Sequence, residues 1–145
     1  MSDIFYIAYG SNLNLKQMAN RCPNAEPLYG MMLPNFRLVF RGVADISEDP
    51  DMKAPVGVFK ITEKCEKALD RYEGFPRLYS KVHFDMKGDL LMAYVMNQHD
   101  IRPPSKGYYK GIEQGYRDFS LDLAYLEAAK RHSYSHRTYG GELWG

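Results

Sequence analysis

Residues 4–9 form an unbroken apolar, β-prone run, Ile4-Phe5-Tyr6-Ile7-Ala8-Tyr9, that stops at Gly10-Ser11-Asn12. A run without a polar face predicts a buried strand, and the glycine predicts a turn at its end. Over residues 13–20 the period lengthens. Leu13, Met18 and Ala19 are spaced for one face of a short helix, Asn12 or Asn14 is placed to cap it, and Pro23 lies just beyond its end. Arg37-Leu38-Val39-Phe40 and Val56-Gly57-Val58-Phe59-Lys60-Ile61 predict two further strands, with Asp45-Ile46-Ser47-Glu48-Asp49-Pro50-Asp51 as an acidic loop between them. Thr62 is placed to cap a helix whose apolar face carries Cys65, Ala68, Leu69 and Tyr72, and Gly74 and Pro76 end it. Residues 78–86 alternate, Lys87-Gly88-Asp89 makes a turn, and 90–97 returns, which is a hairpin pattern. Pro103-Pro104-Ser105 stops the strands. Ser105 then caps a helix running to about Tyr116, and Ser120 caps a second over residues 121–131.

Strands joined by short connections, with helices last, predict an α+β fold on an antiparallel or mixed sheet, with a barrel as one form of it. The chain's 145 residues fit a single domain, residues 1–145, of which 132–145 form an aromatic tail containing Tyr134, Tyr139 and Trp144. A chain of this length buries roughly 68–70% of its unfolded surface and needs no disulfide or metal to hold a core.

Charge narrows the function. Nineteen basic and eighteen acidic residues leave a formal net charge of +1, too weak a field to collect phosphates, so nucleic acid is not the expected partner. No apolar stretch reaches the length of a membrane span, and the N-terminus lacks the basic flank of a signal peptide. Cys22 and Cys65 lack zinc or redox spacing and read as two reduced thiols of a cytoplasmic protein.

Two segments carry candidate chemistry. At Tyr9-Gly10-Ser11-Asn12-Leu13 a glycine lets a ligand approach the backbone, and the N–H groups of Ser11, Asn12 and Leu13 are placed to meet an anionic oxygen. A plain strand-to-helix turn has the same pattern. In Leu69-Asp70-Arg71-Tyr72-Glu73-Gly74-Phe75, Glu73 falls at a helix end, where the macrodipole disfavours a carboxylate, between two aromatic residues. A carboxyl held against aromatic rings has a raised pKa and suits general acid/base work, whereas an exposed loop Glu does not. No metal is expected. The acidic loop lacks the order of an EF-hand, and His132 and His136 lack a third ligand.

Together, Tyr9-Gly10-Ser11-Asn12-Leu13, Leu69-Asp70-Arg71-Tyr72-Glu73-Gly74, Pro104-Ser105-x-x-Tyr108 and Gly115 resemble the gamma-glutamylcyclotransferase family. The match runs in order from about residue 4 to 130. It includes Arg21-Cys22-Pro23, Arg37-Leu38-Val39-Phe40, Ala44-Asp45-Ile46 and Tyr94-Val95-Met96. Many relatives carry a Trp near Pro55-Val56-Gly57 that this chain lacks, and the segment after Arg131 is outside the match.

The resemblance implies a mixed β-barrel with helices packed around it. It also implies a cofactor-free enzyme whose Tyr9–Leu13 loop holds a gamma-glutamyl group by backbone contacts, with Glu73 as catalytic acid/base and Tyr79 and Tyr108 lining the pocket. The Tyr-Gly-Ser-Asn-Leu form differs from the Tyr-Gly-Ser-Leu form of the glutathione-specific branch, which disfavours intact glutathione as substrate. The implied reaction cyclises a gamma-glutamyl amide to 5-oxoproline and releases an amino acid or amine. The rival reading is a binding module for a gamma-glutamyl-type small molecule. The third is an interaction protein using its tail. The leaving group and oligomeric state stay open.

Overall fold

The computed structural model describes residues 3–138. Its elements are β1 (Ile4–Ala8), a single 3-10 turn (Ser11–Leu13), α1 (Leu15–Arg21), β2 (Glu26–Phe40), β3 (Ala44–Ile61), α2 (Glu63–Glu73), β4 (Tyr79–Met86), β5 (Asp89–Met96), α3 (Lys106–Asp118) and α4 (Leu123–Ser135). The sheet has five strands in the order β2-β3-β1-β5-β4. The apolar run of β1 takes the central place, antiparallel to β3 and parallel to β5, with Tyr6, Ile7 and Ala8 buried. The fold is therefore α+β with a mixed sheet.

The expected barrel is not formed among the described residues. β2 and β4 remain edge strands. The sheet coils until Phe36 of β2 and Phe84 of β4 meet edge to face, ring centroids 5.4 Å apart. An aromatic pair thus bridges the two edges without a ladder, in the offset geometry such pairs prefer.

Caps explain the helices. Asn14 accepts from Gln17 N at the start of α1, Thr62 from Cys65 N at the start of α2, and Ser105 from Tyr108 N at the start of α3. Gly74 closes α2 in the left-handed conformation that glycine adopts without penalty. The last helix corrects the expectation. Asp122, not Ser120, caps α4, and it accepts from Ala124 N. Ser120 instead has φ 55° in the turn before it.

The acidic segment is also corrected, because residues 45–51 lie within β3 rather than in a loop. Asp45 and Ile46 are buried there, opposite Val39 and Leu38 of β2. Asp45 is acceptable inside because Arg41 Nε donates to it at 2.6 Å and Met96 N at 3.0 Å. The acidic residues beyond fall where the ladder slips between Pro34 and Phe36 and the side chains reach solvent.

The two cysteines are not free thiols. A disulfide joins Cys22, which ends α1, to Cys65 in the first turn of α2, with Cα atoms 5.2 Å apart. Pairing across 43 residues is set by how the two helices pack, which spacing does not encode. None of the described helices is long and apolar enough to cross a membrane. Of the aromatic tail, residues 132–135 complete α4, and Thr138 is bonded to Ile101 through both its N–H and its hydroxyl. Tyr139 and Trp144 lie outside the described residues.

Candidate active site

The C-terminal end of β1 delivers Tyr9, Gly10, Ser11 and Asn12 to one wall of a cavity of about 290 Å³. The end of α2 supplies Tyr72 and Glu73, the start of β4 supplies Tyr79, and the first turn of α3 supplies Tyr108. Tyr6, Val43, Ala44, Leu78 and Tyr94 complete the lining. Seven of the eight residues expected at the site therefore converge, from four separate parts of the chain.

Leu13 is the eighth, and it does not face the cavity. Its side chain is fully buried in the core, and its N–H is bonded to Gly10 O at 3.0 Å. It is consequently not a donor for a ligand. The N–H groups of Ser11 and Asn12 head the 3-10 turn and have no acceptor within it.

The loop is held from below and behind. A Cβ on Gly115 of α3 would stand 2.6 Å from the Leu13 carbonyl carbon and 2.7 Å from Asn14 N, so only glycine lets α3 approach this closely. A Cβ on Gly10 would stand 3.0 Å from Ala44 Cβ and 3.2 Å from the Tyr108 hydroxyl. That hydroxyl accepts a hydrogen bond from Ala44 N at 2.9 Å, tying α3 to the start of β3. Tyr9 donates to the Tyr94 carbonyl, tying β1 to β5.

Arg21, at the end of α1, links the two halves of the site. Its Nη1 donates to Asn12 Oδ1 at 2.6 Å, and its guanidinium carbon lies 4.0 Å from the centroid of the Tyr72 ring. The Tyr72 hydroxyl is 3.4 Å from Ser11 Oγ. Asp70, one turn before Glu73, is engaged elsewhere, pairing with Lys81 at 2.9 Å and accepting from the Tyr94 hydroxyl.

Electrostatics divide the cavity's titratable groups into two kinds. Burial lifts the Glu73 carboxyl from its ordinary 4.5 to about 7, with the Arg21 charge partly opposing. Burial, then the Glu73 charge, drives the Tyr6 and Tyr79 phenols well above their ordinary value. Tyr108 is raised chiefly by burial, and Tyr9 by burial and then by Asp45. The phenols thus stay neutral while the carboxyl alone is brought to where it exchanges a proton near neutrality. A carboxyl so tuned, in an aromatic-walled cavity that also carries the Ser11–Asn12 turn, is suited to moving protons on a small polar ligand.

Sequence reading missed Tyr6, Tyr72 and Arg21 as parts of the site. Tyr6 was absorbed into the apolar run of β1 and Tyr72 into the apolar face of α2. Arg21 stood within a matched motif but carried no chemical signal of its own. His132 and His136 stack with centroids 4.3 Å apart and take no part in the cavity.

The chain is similar to known proteins of one family. A family model described as gamma-glutamyl cyclotransferase, AIG2-like, matches residues 6–116. The gamma-glutamylcyclotransferase of Homo sapiens is 28% identical over 143 aligned residues, covering 86% of this chain and 76% of its own. The protein of the same name from Bos taurus is 28% identical over 156, covering 95% and 82%. A solved structure described as a gamma-glutamyl cyclotransferase superposes with a TM-score of 0.76 at 26% identity, covering 89% of this chain and 87% of that one.

Proposed function

This chain belongs to the gamma-glutamyl cyclotransferase, AIG2-like family, and we propose on that premise that it is an enzyme converting a small gamma-glutamyl amide to 5-oxoproline with release of an amino acid or amine. The observation that carries this reading is Glu73, a carboxyl at the end of α2 that lines one cavity with Ser11 and Asn12 and is raised by burial to about 7.

In this reading the backbone of the Tyr9–Asn12 loop holds the gamma-glutamyl group, and Tyr79 and Tyr108 wall it in. The substrate's α-amine arrives largely protonated. Glu73, as carboxylate, takes a proton from it, and the freed nitrogen attacks the γ-carbonyl carbon of the same molecule. A carbon–nitrogen bond forms, closing a five-membered ring. As the tetrahedral centre collapses, the original amide carbon–nitrogen bond breaks, Glu73 returns its proton to the departing nitrogen, and the ring nitrogen gives up its second proton to the released amine through Glu73 or solvent, leaving the lactam N–H. A carboxyl with a pKa near 7 serves both transfers, because neither direction is steeply uphill. Because the nucleophile is tethered, the cavity's main task is to select the folded conformer. The binding-module reading is not favoured, since the similar curated proteins of Homo sapiens and Bos taurus are both named as gamma-glutamylcyclotransferases.

The test is 5-oxoproline release from a panel of gamma-glutamyl amino acids and amines by wild type and a folded Glu73→Gln variant. Release that falls about 10²-fold or more in the variant supports the reaction and the base. Equal release removes Glu73 from the role, and no release from any panel member overturns the reaction.

A further inference from the structure

A chain of three side chains, two of which line the cavity, has a fixed direction. An arginine side chain offers only donors, so the group facing Arg21 Nη1 at 2.6 Å must be the Asn12 carbonyl oxygen, and this sets the orientation of the amide. Asn12 Nδ2 is then turned toward the Tyr6 hydroxyl and donates to it at 2.9 Å. The Tyr6 oxygen is thereby an acceptor, and its own proton is left to be donated elsewhere. Among the described residues that proton has no acceptor within hydrogen-bond distance, although Asn12 and Tyr6 are each only 3% exposed. A buried hydroxyl proton without a partner is costly, and Tyr6 lines the cavity.

Resting on the cyclotransferase reading, we propose that Tyr6 is a substrate-facing donor, aimed by Arg21 through Asn12 at the γ-carbonyl oxygen that becomes anionic during ring closure. The choice of that oxygen follows from Glu73, whose carboxyl lines the same cavity as Tyr6. A substrate carboxylate would be repelled from the neighbourhood of an ionised Glu73. A carbonyl oxygen is neutral when bound and gains charge only after Glu73 has taken its proton. A preset donor there strengthens as the charge develops and needs no reorganisation.

Arg21 is a positioning residue in this scheme. Three contacts hold it in place: Asn12, the Tyr72 ring and Gln17 Oε1 at 3.4 Å. The next residue, Cys22, is covalently joined to α2. The guanidinium is therefore fixed where the helix bearing Glu73 meets the helix following the loop.

The experiment measures kcat and KM for Tyr6→Phe, Arg21→Gln, Arg21→Lys and the Tyr6→Phe/Arg21→Gln double variant. Tyr6→Phe keeps the ring that packs near Phe59 and Tyr94. It should lower kcat by about 10²- to 10³-fold, the loss typical of one oxyanion donor, with KM within about threefold. With kcat taken on the pH plateau above the Glu73 titration, which removal of the Arg21 charge also shifts upward, Arg21→Gln should lower kcat in the wild-type background and have no further effect on Tyr6→Phe, while Arg21→Lys should recover most of the loss. An unchanged kcat in Tyr6→Phe, or a rise in KM alone, overturns the proposal. So do independent, multiplicative losses in the double variant, which would make Arg21 merely structural. If Arg21→Gln does not fold, Tyr6→Phe and Arg21→Lys carry the test. Wild type that neither releases nor binds 5-oxoproline overturns the cyclotransferase reading and this inference together. An active wild type with an unaltered Tyr6→Phe overturns this inference alone.

Discussion

Replacing Glu73 by glutamine should make the protein more stable while it abolishes turnover, and the gain should depend on pH. Burial raises the Glu73 carboxyl from 4.5 in the unfolded chain to about 7 in the folded one. Below pH 4.5 both forms carry the proton, and the site costs nothing. Between pH 4.5 and 7 the folded chain binds more protons than the unfolded chain, so stability falls as pH rises. Above pH 7 the full cost of holding the ionised carboxylate is present. At about 1.4 kcal/mol per pH unit, that cost is roughly 3 kcal/mol. Glutamine has the shape and neutrality of the protonated acid and never incurs it. Urea unfolding of wild type and Glu73→Gln at pH 4.5, 6, 7 and 8.5 should therefore give coincident stabilities at the lowest pH and a gap opening to roughly 3 kcal/mol at the highest. The carboxylate that the chemistry uses would then be one that folding alone would discard. Curves that stay parallel at every pH would refute the reasoning, because they would mean that Glu73 ionises as freely in the folded protein as in water.

Two further substitutions probe what holds the site. Gly115→Ala places a methyl 2.6 Å from the Leu13 carbonyl carbon, where only backbone can yield. It should cost about 1–3 kcal/mol in denaturant unfolding and lower kcat/KM by displacing the Ser11–Asn12 turn, and an Ala variant with wild-type stability and rate would contradict the packing. The Cys22–Cys65 bond closes a 43-residue separation, for which the chain-entropy model gives roughly 4 kcal/mol. A Cys22→Ala/Cys65→Ala variant should lose up to that much, and thiol titration in urea without reductant should find no free thiol in wild type, with two free thiols refuting the bond.

Much of this protein is decided locally and is legible in one dimension. Asn14, Thr62 and Ser105 cap their helices because a short polar side chain reaches a backbone N–H two or three residues on, whatever the rest of the chain does. Gly74 ends α2 for an equally local reason, and the hairpin of β4 and β5 follows from alternation about Lys87-Gly88. Glu73 was conspicuous because a carboxylate at a helix end between aromatic residues conflicts with both the dipole and its neighbours. Several short segments in order also sufficed to suggest the family.

What the sequence could not supply depends on partners far away along the chain. Asp45 sat in a segment that looked like a solvated acidic loop. It is a buried strand residue because Met96 N from β5, 51 positions away, donates to it, together with the nearby Arg41 guanidinium turned back on it. Leu13 looked like part of the ligand loop until α3 closed on it through Gly115. The coil of the sheet brings Phe36 to Phe84 without a ladder, and helix packing brings Cys22 to Cys65. The same holds for the chain from Arg21 through Asn12 to Tyr6, whose direction exists only because a guanidinium from one helix meets an amide from the turn before it. Capping and turn formation are settled within a few residues. Burial, the resulting displacement of a pKa, and the direction of a hydrogen-bonded chain depend on which distant groups exclude water, and those are fixed only when the tertiary structure forms.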